Sequence, residues 1–223
     1  MKDAMIDVPL VDADDCLRTE VARWYCEVFN DPRYFGESWT IESASHYLFD
    51  SGADDGDLET RLFAMQREGQ VMGAAIACVG RVSCALTVRE LPKQARNVEV
   101  LVKVRRQVEW FVPDDTVILV FRELGIVPAA RNGLGNALNM IVPPIAWAEA
   151  RGARFGCFWT SRVSPLYRLL HGYGIRDIFD FRDEQQAVFM GDDISTALYR
   201  LRQPLKKARR MLLERLGHER FSA

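Results

Sequence analysis

The sequence predicts a mixed α/β domain, and three observations support this fold class. Apolar residues recur at helical spacing near both ends of the chain, short apolar runs around a glycine turn lie between them, and a β-rich run leads into a glycine-rich loop. The chain has 223 residues, of which 48% are hydrophobic and 27% charged, so it is long enough for a well-buried core. Collagen-like, low-complexity and mainly disordered classes are therefore excluded.

The first third of the chain predicts two helices and a hairpin. Over residues 16–29, apolar side chains recur every three or four positions behind two aspartates, which is typical of an amphipathic helix. Thr40 is a suitable N-cap for a second helix. Apolar runs at residues 61–66 and 71–79 flank the turn Glu68-Gly69-Gln70, which predicts a pair of strands.

The second half predicts a long strand, a glycine loop and a helix. The strand at residues 117–127 ends at Pro128, and the helix that follows extends to Ala148 with an interruption at Pro143 and Pro144. Residues 81–116 are basic and show no clean period over their whole length. The remaining predictions are a strand at 154–160, a helix at 164–170, strands at 177–181 and 187–190, and a basic helix at 194–216 broken by Pro204.

Several classes of segment and site have no support in the sequence. The first 15 residues contain five aspartates, unlike a signal or transit peptide. The longest uncharged stretch, residues 132–148, is shorter than a bilayer span. The five cysteines form no C-x-x-C pair, and no His or Cys lies at metal-ligand spacing from another. We expect a cytoplasmic protein with free thiols, no membrane span and no metal.

The loop between Glu123 and Leu138 carries the sharpest chemical signal. It combines a strand, a proline, Arg131, the glycines Gly133 and Gly135, and a helix start. Glycines allow close backbone approach, and the first N–H groups of a helix and its dipole attract an anion such as a phosphate. The alternative is a tight turn without a ligand; a dinucleotide fingerprint and a Walker A motif are not matched.

At this loop the sequence resembles the GNAT acyltransferase superfamily. That family has a V-x-P-x-x-R-G-x-G-x-G loop after a central strand, and residues 127–135 read VPAARNGLG, with one residue fewer before the final G-x-G. Residues 29–32 and 39–40 are similar to an F-N-x-P…W-T pattern of a GNAT subgroup. Residues 71–73 are similar to the family's third strand, and residues 165–173 to its L-Y-x-K-L-G-F element, with one residue inserted.

The resemblance implies a GNAT-like mixed, mostly antiparallel central sheet flanked by helices, with an extra C-terminal helix. The implied domain spans residues 1–193 with an insertion at about 81–116, and residues 194–223 form a basic helix packed on it or extending from it. The implied activity is transfer of an acyl group, most simply acetyl from acetyl-CoA, to a primary amine of a small molecule by direct attack. The implied acyl-CoA contacts are the backbone of Ile126 and Val127 for the pantetheine arm, and Arg131, Asn132, Gly133, Leu134, Gly135 and Asn136 for the pyrophosphate.

Two catalytic residues follow from the same resemblance. Glu123 lies where many members of the family place a catalytic or substrate-binding acid, and its alternative is a solvated or ion-paired strand residue. Tyr167 matches the tyrosine that protonates the departing sulfur, and its alternative is a core aromatic, with Tyr173 as a substitute.

The acceptor side is less defined. Tyr34, Phe35 and Trp39 lie in the loop that shapes the acceptor pocket in the family, with core packing as an equal alternative. The insertion at 81–116 either covers the acceptor site or makes a subunit contact, as in a homodimer. Two other functions stay open: an acyl-CoA sensor or scaffold without turnover, and nucleic-acid binding through the basic C-terminal helix.

Overall fold

The computed structural model of the protein describes residues 3–30, 38–50, 58–131, 134–181 and 186–203. Seven strands form one sheet, in the spatial order β1-β2-β3-β4-β5-β7-β6. All neighbouring strands are antiparallel except β4 and β5, which are parallel. The strands are β1 Ala4–Pro9, β2 Glu59–Arg67, β3 Gln70–Arg81, β4 Val117–Ile126, β5 Phe155–Ser161, β6 Arg176–Asp180 and β7 Ala187–Asp193.

Seven helices accompany the sheet in the described ranges. They are α1 Asp15–Phe29, α2 Ile41–Ser45, α3 Val82–Ala85, α4 Val98–Glu109, α5 Leu134–Ala150, α6 Pro165–Gly172 and α7 at residues 194–203. The predicted mixed α/β class and mostly antiparallel sheet are confirmed. None of these helices is both long and apolar enough to cross a bilayer.

Local sequence signals account for several of the element boundaries. Asp14, Thr40 and Ser164 cap α1, α2 and α6 by accepting hydrogen bonds from backbone N–H groups of the first turn. Glu68 and Gly69 connect β2 to β3 with φ values of 53° and 83°, the left-handed conformation of a two-residue hairpin turn. α5 continues through Pro143 and Pro144, so the predicted interruption does not divide the helix.

Two elements differ from the sequence prediction. β1 was not predicted, because most of its side chains are partly exposed and an aspartate interrupts the apolar positions. α4 lies inside the region without a clean period, yet Leu101, Val104 and Val108 are buried at helical spacing. The helical spacing of α4 is hard to recognise in this region of 36 residues, because the segments on either side of the helix are irregular.

The core has two parts. The larger part joins α1, α5 and α7 to the sheet, and residues 194–203 contribute Ile194, Leu198 and Leu201 as buried side chains. The smaller part joins α3 and α4 to β4, β5 and β7. The insertion therefore packs on the sheet as part of the domain; the rest of the predicted basic helix, 204–223, lies outside the described residues.

Candidate active site

A fork between the two parallel strands forms the main cleft. β4 pairs with β5 only over Ile118–Val120 and Phe155–Cys157. Its pairing with β3, on the other edge, continues as far as Ile126. The last six residues of β4 therefore line one wall of a cleft of about 410 Å³, with Phe158, Trp159 and Thr160 of β5 on the opposite wall.

A bulge places Arg122 and Glu123 beside this cleft. Opposite β3, Ile76 pairs with Glu123 while Ala77 pairs with Phe121, so Arg122 is the extra residue. The Arg122 guanidinium then contacts Glu90 of the insertion at 3.1 Å, and Glu123 contacts Tyr47, which follows α2. Bulges redirect side chains in this way next to many active sites.

Tyr47 holds the Glu123 carboxylate. Its hydroxyl donates to Glu123 Oε1 at 2.9 Å and accepts from Arg96 Nη2 at 3.0 Å. Burial and the nearby Glu123 charge raise the pKa of Tyr47 well above its usual range, so the phenol stays protonated and donates. Arg89 lies over the Tyr47 ring, 5.4 Å from its centroid, and donates to the Tyr47 carbonyl oxygen.

Glu90 anchors the insertion to the strand that carries Glu123. Its side chain is 1% exposed and pairs with Arg122, whose side chain is 15% exposed. Its other oxygen accepts hydrogen bonds from the backbone N–H and the hydroxyl of Thr87. These contacts attach the insertion to β4 next to Glu123, and the two predicted roles of the insertion stay predictions.

The loop after β4 leads into the N-terminus of α5. Pro128–Ala130 form a 3-10 turn, Arg131 Nε donates to the Ile126 carbonyl at 2.9 Å, and Asn136 Nδ2 donates to the Ala130 carbonyl at 2.8 Å. A Cβ built on Gly135 would meet no atom within 4 Å, so this turn of α5 faces open space. Asn132 and Gly133 lie outside the described residues.

Three backbone groups expected to contact the ligand already have hydrogen-bond partners within the protein. The Val127 N–H donates to the Met72 carbonyl at 2.9 Å, and the Val127 carbonyl accepts from the Ala130 N–H at 2.9 Å. The Arg131 guanidinium likewise donates a hydrogen bond to the Ile126 carbonyl. These bonds fix the loop that precedes α5, and because each carbonyl oxygen keeps a second lone pair, the pantetheine contacts of Ile126 and Val127 stay a prediction.

Tyr167 lies on α6 and is not among the described residues that line the cleft with Glu123. Its hydroxyl donates to Asp177 Oδ2 at 3.2 Å, and its ring stacks on His171 with centroids 5.3 Å apart. Burial and the Asp177 charge raise the pKa of Tyr167. In the described part of the chain, α6 lines the cleft with Leu166 and Leu169 instead.

Of the three aromatic residues predicted to shape the acceptor pocket, the structure describes only Trp39. Trp39 packs on Tyr47, with ring centroids 5.1 Å apart, and its backbone forms two hydrogen bonds with the side chain of Asn30. It therefore belongs to the cluster around Glu123. Tyr34 and Phe35 lie outside the described residues.

Four residues around Glu123 were missed by sequence reasoning. They are Tyr47, Arg89, Glu90 and Arg96, and all lie far from Glu123 in the sequence. The pattern Thr87-x-x-Glu90 is a capping-box signal that places Glu90 at a short helix, as observed. No comparable local signal marks the two arginines or Tyr47.

Metal-ligating side chains do not cluster here. Within the described ranges, no group of three or more His, Cys, Asp or Glu residues has a geometry that holds a metal ion. In the described residues, the site contains the carboxylates of Glu123 and Glu90, one phenol, several guanidinium groups and a helix N-terminus.

Comparison with solved structures identifies this architecture. The model superposes on the mosquito arylalkylamine N-acetyltransferase like 5b with a TM-score of 0.58, covering 85% of this chain and 100% of that chain at 12% identity. The chain adopts the GNAT fold. The AHL synthase LasI superposes with a TM-score of 0.59 over 89% of this chain and 96% of that chain at 13% identity.

A further GNAT-fold similarity is to BjaI, a CoA-dependent acyl-homoserine lactone synthase. Its structure with SAM and isopentyl-CoA superposes with a TM-score of 0.58, covers 92% of this chain and 90% of that chain, and is 12% identical. No family model matches the sequence, and no curated protein matches it. The GNAT fold was thus predicted from local motifs and is confirmed by structure.

Proposed function

We propose that this protein is an acyl-CoA-dependent N-acyltransferase that transfers acetyl from acetyl-CoA to a primary amine of a small molecule. The observation that carries the proposal is the fork between β4 and β5, which opens between the Glu123 carboxylate and the N-terminus of α5. A carboxylate on one side suits an amine, and a helix N-terminus on the other suits a pyrophosphate.

The donor side of the cleft suits acyl-CoA. The N-terminus of α5 offers backbone N–H groups and a positive dipole, and Gly135 leaves room for a phosphate. Arg131 lines the cleft next to this turn and adds positive charge. With these, Asn132, Gly133, Leu134 and Asn136 form the proposed pyrophosphate site, and the cleft edge of β4 up to Ile126 takes the pantetheine arm.

Glu123 is the proposed base. An alkylammonium with a pKa of about 10.4 needs about 4.6 kcal/mol to lose its proton at pH 7. A carboxylate can accept this proton directly or through a water molecule. The Tyr47 hydroxyl fixes one oxygen of Glu123, and a carboxylate has further lone pairs for the amine.

Acyl transfer then proceeds by attack of the neutral amine on the thioester carbonyl carbon. The C–N bond forms, the C–S bond breaks, and CoA leaves as a thiolate that takes up a proton. A thiol pKa of about 8.5 makes this a competent leaving group. We assign Tyr167 no step, because its hydroxyl is held by Asp177.

Similar proteins support the donor and acceptor classes. One of them is an arylalkylamine N-acetyltransferase-like protein, and another is CoA-dependent and was solved with isopentyl-CoA. Trp39 and Tyr47 add an aromatic wall beside Glu123, which favours an amine with an apolar body.

Thiol release in the presence of an amine panel tests the proposal. The full chain is incubated with acetyl-CoA and aliphatic, arylalkyl and amino-acid amines, and free CoA is detected with a thiol reagent. We expect amine-dependent release with at least one class. Tight acetyl-CoA binding with no release for any class would favour the sensor or scaffold function instead.

A further inference from the structure

A second, smaller cavity lies directly behind the cleft. It has a volume of about 30 Å³ and is lined by residues of β4, β5, β7, α5, α6 and α7. Its lining is apolar, with Leu119, Ile145, Ile194 and Leu201 among the contributors. We call this cavity the inner chamber.

The charged group at its edge is neutralised. Asp192 also lines the inner chamber, but Oδ1 accepts from Arg176 at 2.9 Å and Oδ2 accepts from Arg200 at 2.8 Å. The chamber therefore presents an apolar interior. An apolar cavity of this kind stays dry and favours an apolar guest over water.

Two aromatic rings separate the inner chamber from the cleft. Phe121 and Phe158 line both cavities, together with Leu124 and Ile141. The two rings pack edge to face, with centroids 6.3 Å apart and an interplanar angle of 84°. One ring comes from each arm of the fork, so this pair closes the fork at its base.

We propose that the inner chamber is the closed end of an acyl-chain subsite, and that the Phe121–Phe158 pair limits the length of the acyl group. This inference rests on the proposed function, because it assigns the alkyl end of the acyl-CoA. Phe121 and Glu123 lie on either side of the bulged residue Arg122, so their backbone positions are at most about 7 Å apart along β4. An acyl carbonyl placed for attack near Glu123 thus has its alkyl tail within reach of the Phe121 ring.

The energetics of burial give the expected selectivity. Each methylene moved from water into an apolar site improves affinity about fourfold. With the aromatic pair closed, the additional methylenes of a longer chain do not reach the inner chamber. In the wild type we therefore expect hexanoyl-CoA to bind no more tightly than acetyl-CoA.

Opening the pair provides the first test. Phe121→Ala joins the chamber to the cleft, and the Kd values for acetyl-CoA and hexanoyl-CoA are measured by titration calorimetry, which needs no amine. We expect the ratio of the acetyl-CoA Kd to the hexanoyl-CoA Kd to rise at least about tenfold over the wild type. Because deleting a buried ring destabilises a core, Phe121→Leu is measured in parallel and should give a smaller rise.

Filling the chamber from its far side provides the reverse test. Gly156 lines the chamber, and a Cβ built there would lie 3.7 Å from both Ile194 Cγ1 and Leu119 Cδ2, which is ordinary contact. Gly156→Ala therefore narrows the chamber without a clash. Combined with Phe121→Leu or Phe121→Ala, it should return the Kd ratio toward the wild-type value.

A matched aromatic outside both cavities serves as the control. Phe63 is 1% exposed and makes a similar edge-to-face pair with Trp147, with centroids 5.8 Å apart. Phe63→Leu should leave the Kd ratio unchanged, which separates chamber opening from loss of a core ring.

The outcomes distinguish this inference from the proposed function. If the wild type binds acetyl-CoA and both Phe121 variants keep its Kd ratio, the acyl-chain subsite is refuted while the proposed function stands. A wild type that already prefers hexanoyl-CoA by tenfold refutes the length limit. If neither the wild type nor any variant binds any acyl-CoA, the proposed function itself fails.

Discussion

At the residue scale, the position of one carboxylate depends on three distant segments. Glu123 lies on β4, the phenol that donates to it follows α2, and the guanidinium that donates to this phenol belongs to the insertion. Trp39 packs against the same phenol ring. Removing the charge of the Glu123 carboxylate is therefore the most direct test of this site.

Glu123→Gln should lower amine-dependent turnover by about 100-fold, because the amide cannot accept the ammonium proton. The Kd for acetyl-CoA should stay within twofold, since the donor site lies at α5. The measurements are steady-state thiol release and calorimetry. Glu109→Gln, at an exposed position in the last turn of α4, is the control and should match the wild type; equal turnover in both variants would remove Glu123 from the mechanism.

Only part of the site could be predicted residue by residue. Glu123 was predicted from the family resemblance, which implies an acid on the strand before the glycine loop. Tyr47 meets Glu123 across 76 residues of sequence, a contact that only the folded chain reveals. Tyr167 matches a family motif, yet its hydroxyl is held by an aspartate on β6.

At the element scale, two glycines have opposite structural roles. Gly125 lies where β4 touches α1, and a Cβ there would come within 2.7 Å of Val28 Cγ1 and 3.2 Å of Trp24 Cζ2. Gly135 lies in the first turn of α5, where a Cβ would meet nothing within 4 Å. Substitutions at the two positions therefore test packing and ligand binding separately.

Gly125→Ala should lower the free energy of unfolding by about 1–3 kcal/mol, because the added methyl overpacks the contact between α1 and β4. Urea denaturation measures this loss. Gly135→Ala is the matched control and should unfold at the wild-type urea concentration. Equal stability of the two variants would contradict the close approach at Gly125.

Gly135→Val should keep the fold and abolish acetyl-CoA binding, because the side chain projects into the space assigned to the pyrophosphate. Thermal unfolding and calorimetry give the two readouts. Gly172→Val, at the end of α6 where a Cβ also meets nothing within 4 Å, should bind acetyl-CoA normally. Unchanged affinity in Gly135→Val would refute the loop assignment.

Periodicity predicted most elements, and its failures have physical causes. A local sequence signal, either a cap, a turn or an apolar run, predicts each of α1, the β2–β3 hairpin, β4 and α6. β1 gains its stability from pairing with β2 rather than from an apolar run of its own. The burial of α4 depends on a surface that β4, β5 and β7 provide.

At the scale of the whole molecule, the insertion is attached to the sheet beside Glu123. Arg105 of α4 donates to the carbonyls of Ser83 and Leu86, which ties the insertion together. The Glu90–Arg122 pair then joins it to the bulge of β4. Glu90 is buried in this pair, so we expect loss of the pair to lower the stability of the whole domain.

Glu90→Gln should lower the free energy of unfolding by about 3 kcal/mol, because it removes the charge of a buried carboxylate that is paired with Arg122. Chemical denaturation provides the measurement. Glu99→Gln breaks the exposed pair with Lys103 on α4 and should leave stability unchanged. A Glu90→Gln protein as stable as the wild type would contradict a structural role for this pair.

The acidic first segment also has a structural role. Asp3 pairs with Arg67 at 2.8 Å and Asp7 with Arg61 at 2.9 Å, so these acids contact basic residues of β2. Two of the five aspartates near the start of the chain are therefore paired within the sheet.

Calorimetric titration of the purified chain with acetyl-CoA, with free CoA for comparison, tests the central claim most directly. The fork and the open first turn of α5 predict one molecule bound per chain, with a micromolar Kd for both compounds. Absence of binding of either compound at millimolar concentration would contradict the account, because the GNAT fold would then be present without its donor site.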